Sequence, residues 1–197
     1  MRAWAEAAKA RGFEIPREAL LKTRAVNTTI AKATFQEYCG KDFPYDLLRI
    51  ERVSIAEQMI AEASVDTLLK PYVHQVLGWL QQSGITITAA SSTNYKTTVD
   101  HLKHAGLYDY FSVIVGGDMV TKGKPEPDIF LLAADLAHSS ACECVVVGDS
   151  PADVFAASAA QMTVYLIPDQ VPANPQTTAL ANQVLCTLNQ LPEHIHN

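Results

Sequence analysis

The sequence predicts an α/β protein, in which a helical N-terminal segment precedes a parallel β-sheet covered by helices on both faces. Two observations on this chain of 197 residues, 48% of them hydrophobic, support the prediction. Residues 1–70 carry only helical patterns, whereas residues 71–197 alternate short β-branched runs with amphipathic helical segments. Strands that alternate with helices are typical of parallel sheets, because parallel neighbours need a crossover connection. We therefore expect two parts, of which the second contains the sheet.

The N-terminal segment is predicted to be a small helical bundle. Apolar side chains recur at intervals of three and four residues at Val53, Ala56, Ile60 and Ala63. This spacing places them on one face of a helix. No alternating, strand-like run occurs before Leu69.

In the second part, glycine and proline mark the ends of the predicted elements. Pro71 suits the first turn of a helix, and Gly84 and Gly106 mark helix ends. The strands are predicted from β-branched runs at residues 85–90, 113–115, 145–147 and 164–167, with a short last strand near 184–185. The later helices are predicted from Val99 to Gly106, from Pro127 to Leu136 and from Ala152 to Ala160.

The charge and the cysteine content exclude several classes of protein. A formal net charge of −6 argues against nucleic acid and membrane partners, both of which need a basic face. The cysteines, at positions 39, 142, 144 and 186, show neither zinc-type nor redox-type spacing. The first ten residues carry charges where a signal peptide needs an apolar run. We therefore expect a cytoplasmic protein. The oligomeric state is left open, with a monomer as the expectation.

Chemically distinctive residues follow three of the predicted strands, at the sheet edge where α/β proteins bind ligands. Ser91 follows the first strand, Lys124 lies in a proline-bearing turn, and Asp149 and Asp153 follow the strand at 145–147. Each has an ordinary alternative role, as a helix cap or a solvated loop side chain. Lys124, however, is one of only four basic residues after position 70. A hydroxyl, an ammonium and two carboxylates together suit a phosphoryl group and its Mg²⁺.

Three segments, in this order, resemble the second, third and fourth motifs of the haloacid dehalogenase superfamily. They are Ser91, the run Gly-Lys-Pro-Glu-Pro-Asp-Ile-Phe that ends at Phe130, and the run Val-Gly-Asp-Ser-Pro-Ala-Asp that ends at Asp153. The resemblance is to the branch near β-phosphoglucomutase and its phosphatase relatives, and it covers most of the chain. It implies a helical cap domain for residues 1–70 and a Rossmann-like three-layer core for residues 71–197.

The resemblance also implies roles for individual residues. Ser91 is expected to bind the phosphoryl group, and Lys124 to neutralise it and orient the nucleophile. Asp149 and Asp153 are expected to hold Mg²⁺ directly or through water. Four side chains are expected to contact the substrate, namely Ser92, Asn94, Arg24 and Asn27. Arg24 and Asn27 belong to a cap loop, where surface solvation is the ordinary alternative role.

The implied activity is Mg²⁺-dependent hydrolysis of a small phosphorylated metabolite through an aspartyl-phosphate intermediate. Gly148 stands where the mutases of this family tend to carry an acidic residue, which favours a phosphatase over a sugar-phosphate mutase. No residue of the sequence identifies the substrate.

The first motif of the family, a hydrophobic strand that ends in Asp-x-Asp, is absent, because no two aspartates lie two residues apart. In the family, the first of these aspartates attacks phosphorus and the second serves as general acid and base. The strand would lie between the strands at 85–90 and 145–147, and its loss would leave buried backbone groups unpaired, at about 1–3 kcal/mol each. We therefore expect a sequence that is incomplete at its N-terminus, inactive as it stands and a phosphatase when complete.

Two alternatives remain open for the chain as it stands. A catalytically inactive module could hold phosphate or Mg²⁺ with the same side chains. An interaction protein could instead pair its exposed strand edges with a partner.

Overall fold

The computed structural model describes residues 1–23, 28–169 and 171–195. The chain divides into two compact units, Met1–Ser64 and Val65–Asn197. The boundary that the sequence predicts at residue 70 therefore lies just inside the second unit.

The first unit is helical in its described part, as the apolar spacing predicts. Its core centres on Phe35 and Leu48, both of which are fully buried. The ring of Trp4 lies 4.7 Å from that of Phe35 and 5.6 Å from that of Tyr45, measured between centroids. The helices are α1 (Arg2–Lys9), α2 (Arg17–Lys22), α3 (Thr28–Cys39) and α4 (Tyr45–Glu62).

Helix α4 is buried only near its start. Tyr45 and Leu48 are buried, whereas Val53 is 46% exposed and Ala56 and Ile60 are half-buried. The apolar stripe thus predicts the helix but not its buried face. With 18 residues, α4 is longer than α3, which has 12, and α1, which has 8.

In its described residues, the second unit contains five short strands in two parallel sheets. One sheet has the order β1–β2, and the other has the order β3–β4–β5. Every strand pair is parallel, which confirms the predicted α/β class. The strands are β1 (Thr88–Ala90), β2 (Val113–Val115), β3 (Val145–Gly148), β4 (Thr163–Leu166) and β5 (Gln183–Val184).

Helices cover both faces of these sheets. The α-helices of this unit are α5 (Val65–Leu68), α6 (Val73–Gln82), α7 (Tyr95–His104), α8 (Asp128–Leu136), α9 (Pro151–Ala159) and α10 (Pro175–Leu180).

Among the described residues of both units, no helix is both long enough and apolar enough to cross a membrane.

The two sheets share a core on each face. On one face, side chains of β2, β3 and β4 pack with those of α8 and α9, in a cluster that includes Val115, Val146 and Val164. On the other face, Ile87, which directly precedes β1, and Tyr165 of β4 pack with α6. Since Val164 and Tyr165 are adjacent, they point to opposite faces of β4. The unit therefore has three layers, with the sheets in the middle.

Within the described residues, no hydrogen-bond ladder joins β1 to β3. These are the strands between which the sequence analysis expects a missing strand. That a strand is missing stays a prediction.

Candidate active site

A cavity of about 850 Å³ lies at the carboxyl ends of β1 and β3. Its lining includes Ser91 and Ser92, which follow β1, Lys124 from the loop before α8, and Asp149 and Asp153, which follow β3. Five of the predicted site residues therefore surround one space. Arg24 and Asn27, the predicted cap residues, lie outside the described residues.

Lys124 is held at one place in this cavity by three contacts. Its ammonium lies 2.7 Å from Oδ1 of Asp153 and donates a hydrogen bond of 3.0 Å to the carbonyl oxygen of Ala90. It also lies 4.6 Å from the centre of the Phe130 ring. The side chains of Lys124 and Asp153 are each only 10% exposed. The ion pair is therefore buried, and it joins the end of β1 to the start of α9.

Asp153 has both carboxylate oxygens engaged. Its Oδ2 accepts hydrogen bonds from the Ser150 hydroxyl at 2.6 Å and from the backbone N–H groups of Ser150 at 3.1 Å and Asp149 at 3.3 Å. Desolvation acts to raise the pKa of Asp153, but the charge of Lys124 and the hydrogen bonds from Lys124 and Ser150 outweigh it. The pKa of Asp153 is consequently below its ordinary value. The folded structure thus stabilises the ionised form of Asp153.

Asp149 has a different environment, although it is only four residues away. More than a third of the residue is exposed, and its carboxylate forms no ion pair with a described side chain. Its pKa is raised, first by partial desolvation in the cavity and then by the negative charges of Asp153 and Asp169. A carboxylate surrounded in this way gains from a nearby cation.

The donor set is of the type that suits Mg²⁺. This ion prefers oxygen ligands and is usually bound by one or two carboxylates together with waters and substrate phosphate. Asp149 offers a carboxylate, and Asp153 offers a second one whose oxygens are already hydrogen-bonded. Among the residues that the structure describes, no group of three or more His, Cys, Asp or Glu side chains forms a complete metal cage. Water and phosphate oxygens would therefore supply the other ligands.

The segment after β1 contains both a cavity residue and a helix cap. The hydroxyl of Ser91 accepts a hydrogen bond of 3.1 Å from the backbone N–H of Thr93. Asn94 does not line the cavity. Its Oδ1 instead accepts a hydrogen bond of 2.8 Å from the backbone N–H of Thr97 and caps α7. Asn94 therefore caps a helix in the structure, whereas the sequence analysis expects it to contact the substrate.

Two further charged residues line the cavity and were missed in the sequence. Lys70 and Asp169 form an ion pair of 2.5 Å, and both belong to the cavity lining. Asp169 could have been identified from its position after β4, because α/β proteins bind ligands at the carboxyl ends of their strands. Lys70 lies between α5 and α6, at the predicted domain boundary. No sequence pattern connects it to the cavity.

Gly148 leaves the space that the Asp153 side chain fills. A Cβ added at Gly148 would lie 2.4 Å from Cβ of Asp153, which is far inside van der Waals contact. Any larger residue at position 148 would have to displace Asp153. The position of the Asp153 side chain therefore requires a glycine at position 148.

We expect Gly148→Ala to lower the free energy of unfolding by about 1–3 kcal/mol, as overpacking does. The measurement is urea denaturation. Gly123→Ala is the matched control, because a Cβ there meets nothing within 4 Å, and it should have a much smaller effect. Adding Asp153→Gly, which removes the obstructing Cβ, should make the cost of Gly148→Ala smaller. Strictly additive costs for the two changes would contradict the steric explanation.

The comparisons with known proteins identify the family. The model of the haloacid dehalogenase-like hydrolase family matches residues 2–161, which is most of the chain. The chain belongs to this family. The resemblance predicted from the three motifs is therefore confirmed, and the fold around the cavity is that of a haloacid dehalogenase-like hydrolase.

Individual relatives include phosphatases. The chain is 32% identical over 143 residues to the phosphoglycolate phosphatase of Escherichia coli O157:H7, covering 72% of this chain and 57% of the relative. It is 34% identical over 121 residues to a bifunctional riboflavin kinase/FMN phosphatase of Arabidopsis thaliana, covering 60% of this chain and 31% of the relative. The match thus spans between about a third and three fifths of these relatives' length.

Among solved structures, CbbY of Rhodobacter sphaeroides in complex with phosphate has the same fold. The TM-score is 0.77 at 23% identity, with 96% of this chain and 87% of that chain covered. A β-phosphoglucomutase of Clostridium difficile gives a TM-score of 0.75 at 21% identity, with 96% and 84% covered. At these identities the likeness shows the fold alone.

Proposed function

We propose that this chain carries the phosphate-binding and metal-binding residues of a Mg²⁺-dependent phosphatase that acts on a small phosphorylated metabolite. The observation that carries the proposal is the buried Lys124–Asp153 ion pair beside Asp149 and Ser91 in one cavity. A fixed ammonium and a carboxylate pair suit phosphoryl transfer, in which catalysis consists largely of positioning and charge neutralisation.

The relatives support the substrate class. The relative from Escherichia coli is named a phosphoglycolate phosphatase, and CbbY has been solved with xylulose-(1,5)bisphosphate. Phosphoglycolate and xylulose-(1,5)bisphosphate are both small phosphate esters. The local sterics favour hydrolysis over mutase chemistry, because the Asp153 side chain fills the space beside Gly148. No room is left there for the acidic residue that the mutases of this family tend to carry.

Each cavity residue has a defined task in this proposal. The ammonium of Lys124 neutralises a phosphoryl oxygen, and the hydroxyl of Ser91 donates a hydrogen bond to another. Asp149 and Asp153 would hold Mg²⁺, which when bound supplies further positive charge to the phosphoryl group. Asp153 also holds Lys124 in place through their ion pair.

The nucleophile is not among these residues, because the chain contains no Asp-x-Asp. In the proposed reaction, the first aspartate of such a motif attacks phosphorus as the bond between phosphorus and the ester oxygen breaks. The second carboxyl group donates its proton to the leaving oxygen. Water then attacks phosphorus, gives a proton to that second carboxylate and releases inorganic phosphate, which restores the first aspartate. The chain as it stands should therefore bind phosphate without turnover.

The test compares the chain as it stands with the same chain extended before Met1 by a hydrophobic strand that ends in Asp-x-Asp. We expect Mg²⁺-dependent hydrolysis of p-nitrophenyl phosphate and phosphoglycolate by the extended protein only. Asp149→Asn in the extended protein should abolish Mg²⁺-dependent turnover, because a carboxylate ligand of the ion is lost. Turnover by the unextended chain, or activity that Asp149→Asn leaves unchanged, would refute the proposal. Phosphate binding without turnover in both proteins would favour a binding module.

A further inference from the structure

A second ion pair between a lysine and an aspartate lines the candidate active site. The ammonium of Lys70 lies 2.5 Å from Oδ1 of Asp169, and both residues belong to the lining of the cavity of about 850 Å³. Lys70 lies between α5 and α6, and Asp169 follows β4. The pair therefore brings two segments that are 99 residues apart in the chain to the same wall of the cavity.

The strand order places Lys70 and Lys124 on opposite sides of Asp149. Lys124 contacts the carbonyl oxygen of Ala90, the last residue of β1, whereas Asp169, the partner of Lys70, follows β4. Asp149 follows β3, and β4 pairs with one edge of β3. Because β1 and β3 both line the cavity, β1 lies toward the other edge of β3. A ligand that contacts Lys124 and Asp149 could thus extend to Lys70.

The two ion pairs differ in their exposure to solvent. The side chains of Lys124 and Asp153 are each 10% exposed, whereas those of Lys70 and Asp169 are 62% and 26% exposed. An exposed ion pair contributes little to stability, because water competes for both charges. A lysine ammonium also has three donors, of which Asp169 needs one. Lys70 can therefore bind a further anion without breaking a buried contact.

Prolines restrict the backbone beside both residues of this pair. Pro71 follows Lys70 and Pro168 precedes Asp169, and both prolines line the cavity. A proline locks its own φ and restricts the conformation of the residue before it. The backbone thus holds both charges at the cavity wall, although the lysine side chain is largely exposed.

We propose that Lys70 is a specificity-determining residue that binds a carboxylate group of the substrate, while Ser91 and Lys124 bind its phosphoryl group. The inference rests on the proposed function and narrows the substrate class to small phosphate monoesters that also carry a carboxylate. A carboxylate suits this place better than a second phosphate, because one ammonium beside the negative charge of Asp169 matches a single negative charge. A phosphate ester without a second anionic group gains nothing from Lys70.

The test follows the lysine side chains of the chain as it stands by NMR, in protein labelled with ¹³C-lysine and saturated with MgCl₂. The two ligands are 2-phosphoglycolate and ethyl phosphate, which has a methyl group in place of the carboxylate. Both ligands should shift the Cε signal of Lys124, and only phosphoglycolate should shift that of Lys70. The dissociation constant of phosphoglycolate should be about fivefold lower than that of ethyl phosphate, as one charge-assisted hydrogen bond allows.

Three variants separate a direct contact from the general effect of charge. Lys70→Met should bind phosphoglycolate about fivefold more weakly and leave ethyl phosphate binding within about twofold of the parent. Lys70→Arg keeps the positive charge and should retain the preference for phosphoglycolate. Lys122→Met is the matched control, because Lys122 is exposed and does not line the cavity. It removes the same charge from the chain and should leave the preference unchanged.

The two lysine signals also distinguish failure of this inference from failure of the proposed function. Shifts of Lys124 with both ligands, but no shift or equal shifts of Lys70, would overturn the inference and leave the proposed function standing. Equal weakening of both ligands by Lys70→Met would overturn it as well. If neither ligand shifts Lys124, the phosphate site itself is refuted, and the proposed function fails together with the inference.

Discussion

Replacing Lys124 with methionine should lower the free energy of unfolding by about 3–5 kcal/mol. The change removes one partner of a buried ion pair and leaves the carboxylate of Asp153, 10% exposed, without its counter-charge. The carbonyl of Ala90 also loses its hydrogen bond from the ammonium. Methionine keeps most of the apolar stem but not the contact of the ammonium with the Phe130 ring, so the loss reports mainly on the charge. Urea denaturation of the two proteins provides the measurement.

Lys122→Met is the matched control for this experiment. Lys122 is two residues earlier and exposed, so its replacement should change the unfolding free energy by no more than about 0.5 kcal/mol. Combining Lys124→Met with Asp153→Asn should cost less than the sum of the single changes, because each one removes the same ion pair. Equal, small costs for the two lysine variants would show that the pair does not stabilise the fold.

The sheet and the location of the site could be predicted from the sequence because both follow from local patterns. The β-branched run at 145–147 predicts a strand, and the structure has β3 there. Asp149 follows this strand directly, and the carboxyl ends of parallel strands are where such folds bind ligands. Helix capping is equally local, but the resemblance led the sequence analysis to expect a substrate contact for Asn94, which caps α7 in the structure.

The pairing of charges could not be predicted, because it depends on tertiary contacts. Lys124 and Asp153 are 29 residues apart, and Lys70 and Asp169 are 99 residues apart. No local spacing connects such residues. The different environments of Asp149 and Asp153 also depend on tertiary contacts. The sequence motif does not distinguish the two aspartates, whereas in the structure Lys124 contacts only Asp153. Periodicity likewise placed Val53 on a helix face but could not show that 46% of Val53 is exposed.

Replacing Asp149 with asparagine should abolish the stabilisation that Mg²⁺ gives the chain, without destabilising the metal-free protein. A ligand that binds only the folded state adds about 2.7 kcal/mol at 100 times its dissociation constant. Loss of a carboxylate ligand should remove this effect. The metal-free variant should be as stable as the parent or slightly more so, because partial desolvation and the charges of Asp153 and Asp169 raise the pKa of Asp149 and disfavour its ionised form. Thermal unfolding with and without saturating MgCl₂ measures both quantities.

Asp135→Asn is the control, because Asp135 is an exposed aspartate on α8 and does not line the cavity. Its replacement should leave the response to Mg²⁺ unchanged. A full Mg²⁺ response in Asp149→Asn would exclude Asp149 as a ligand and leave Asp153, already bound to Lys124, as the only motif carboxylate for the ion. A large loss of stability in metal-free Asp149→Asn would instead show that this carboxylate supports the fold. Replacement of Asp153 should thus destabilise the fold and replacement of Asp149 should not, because Asp153 pairs with the buried Lys124 whereas Asp149 forms no ion pair with a described side chain.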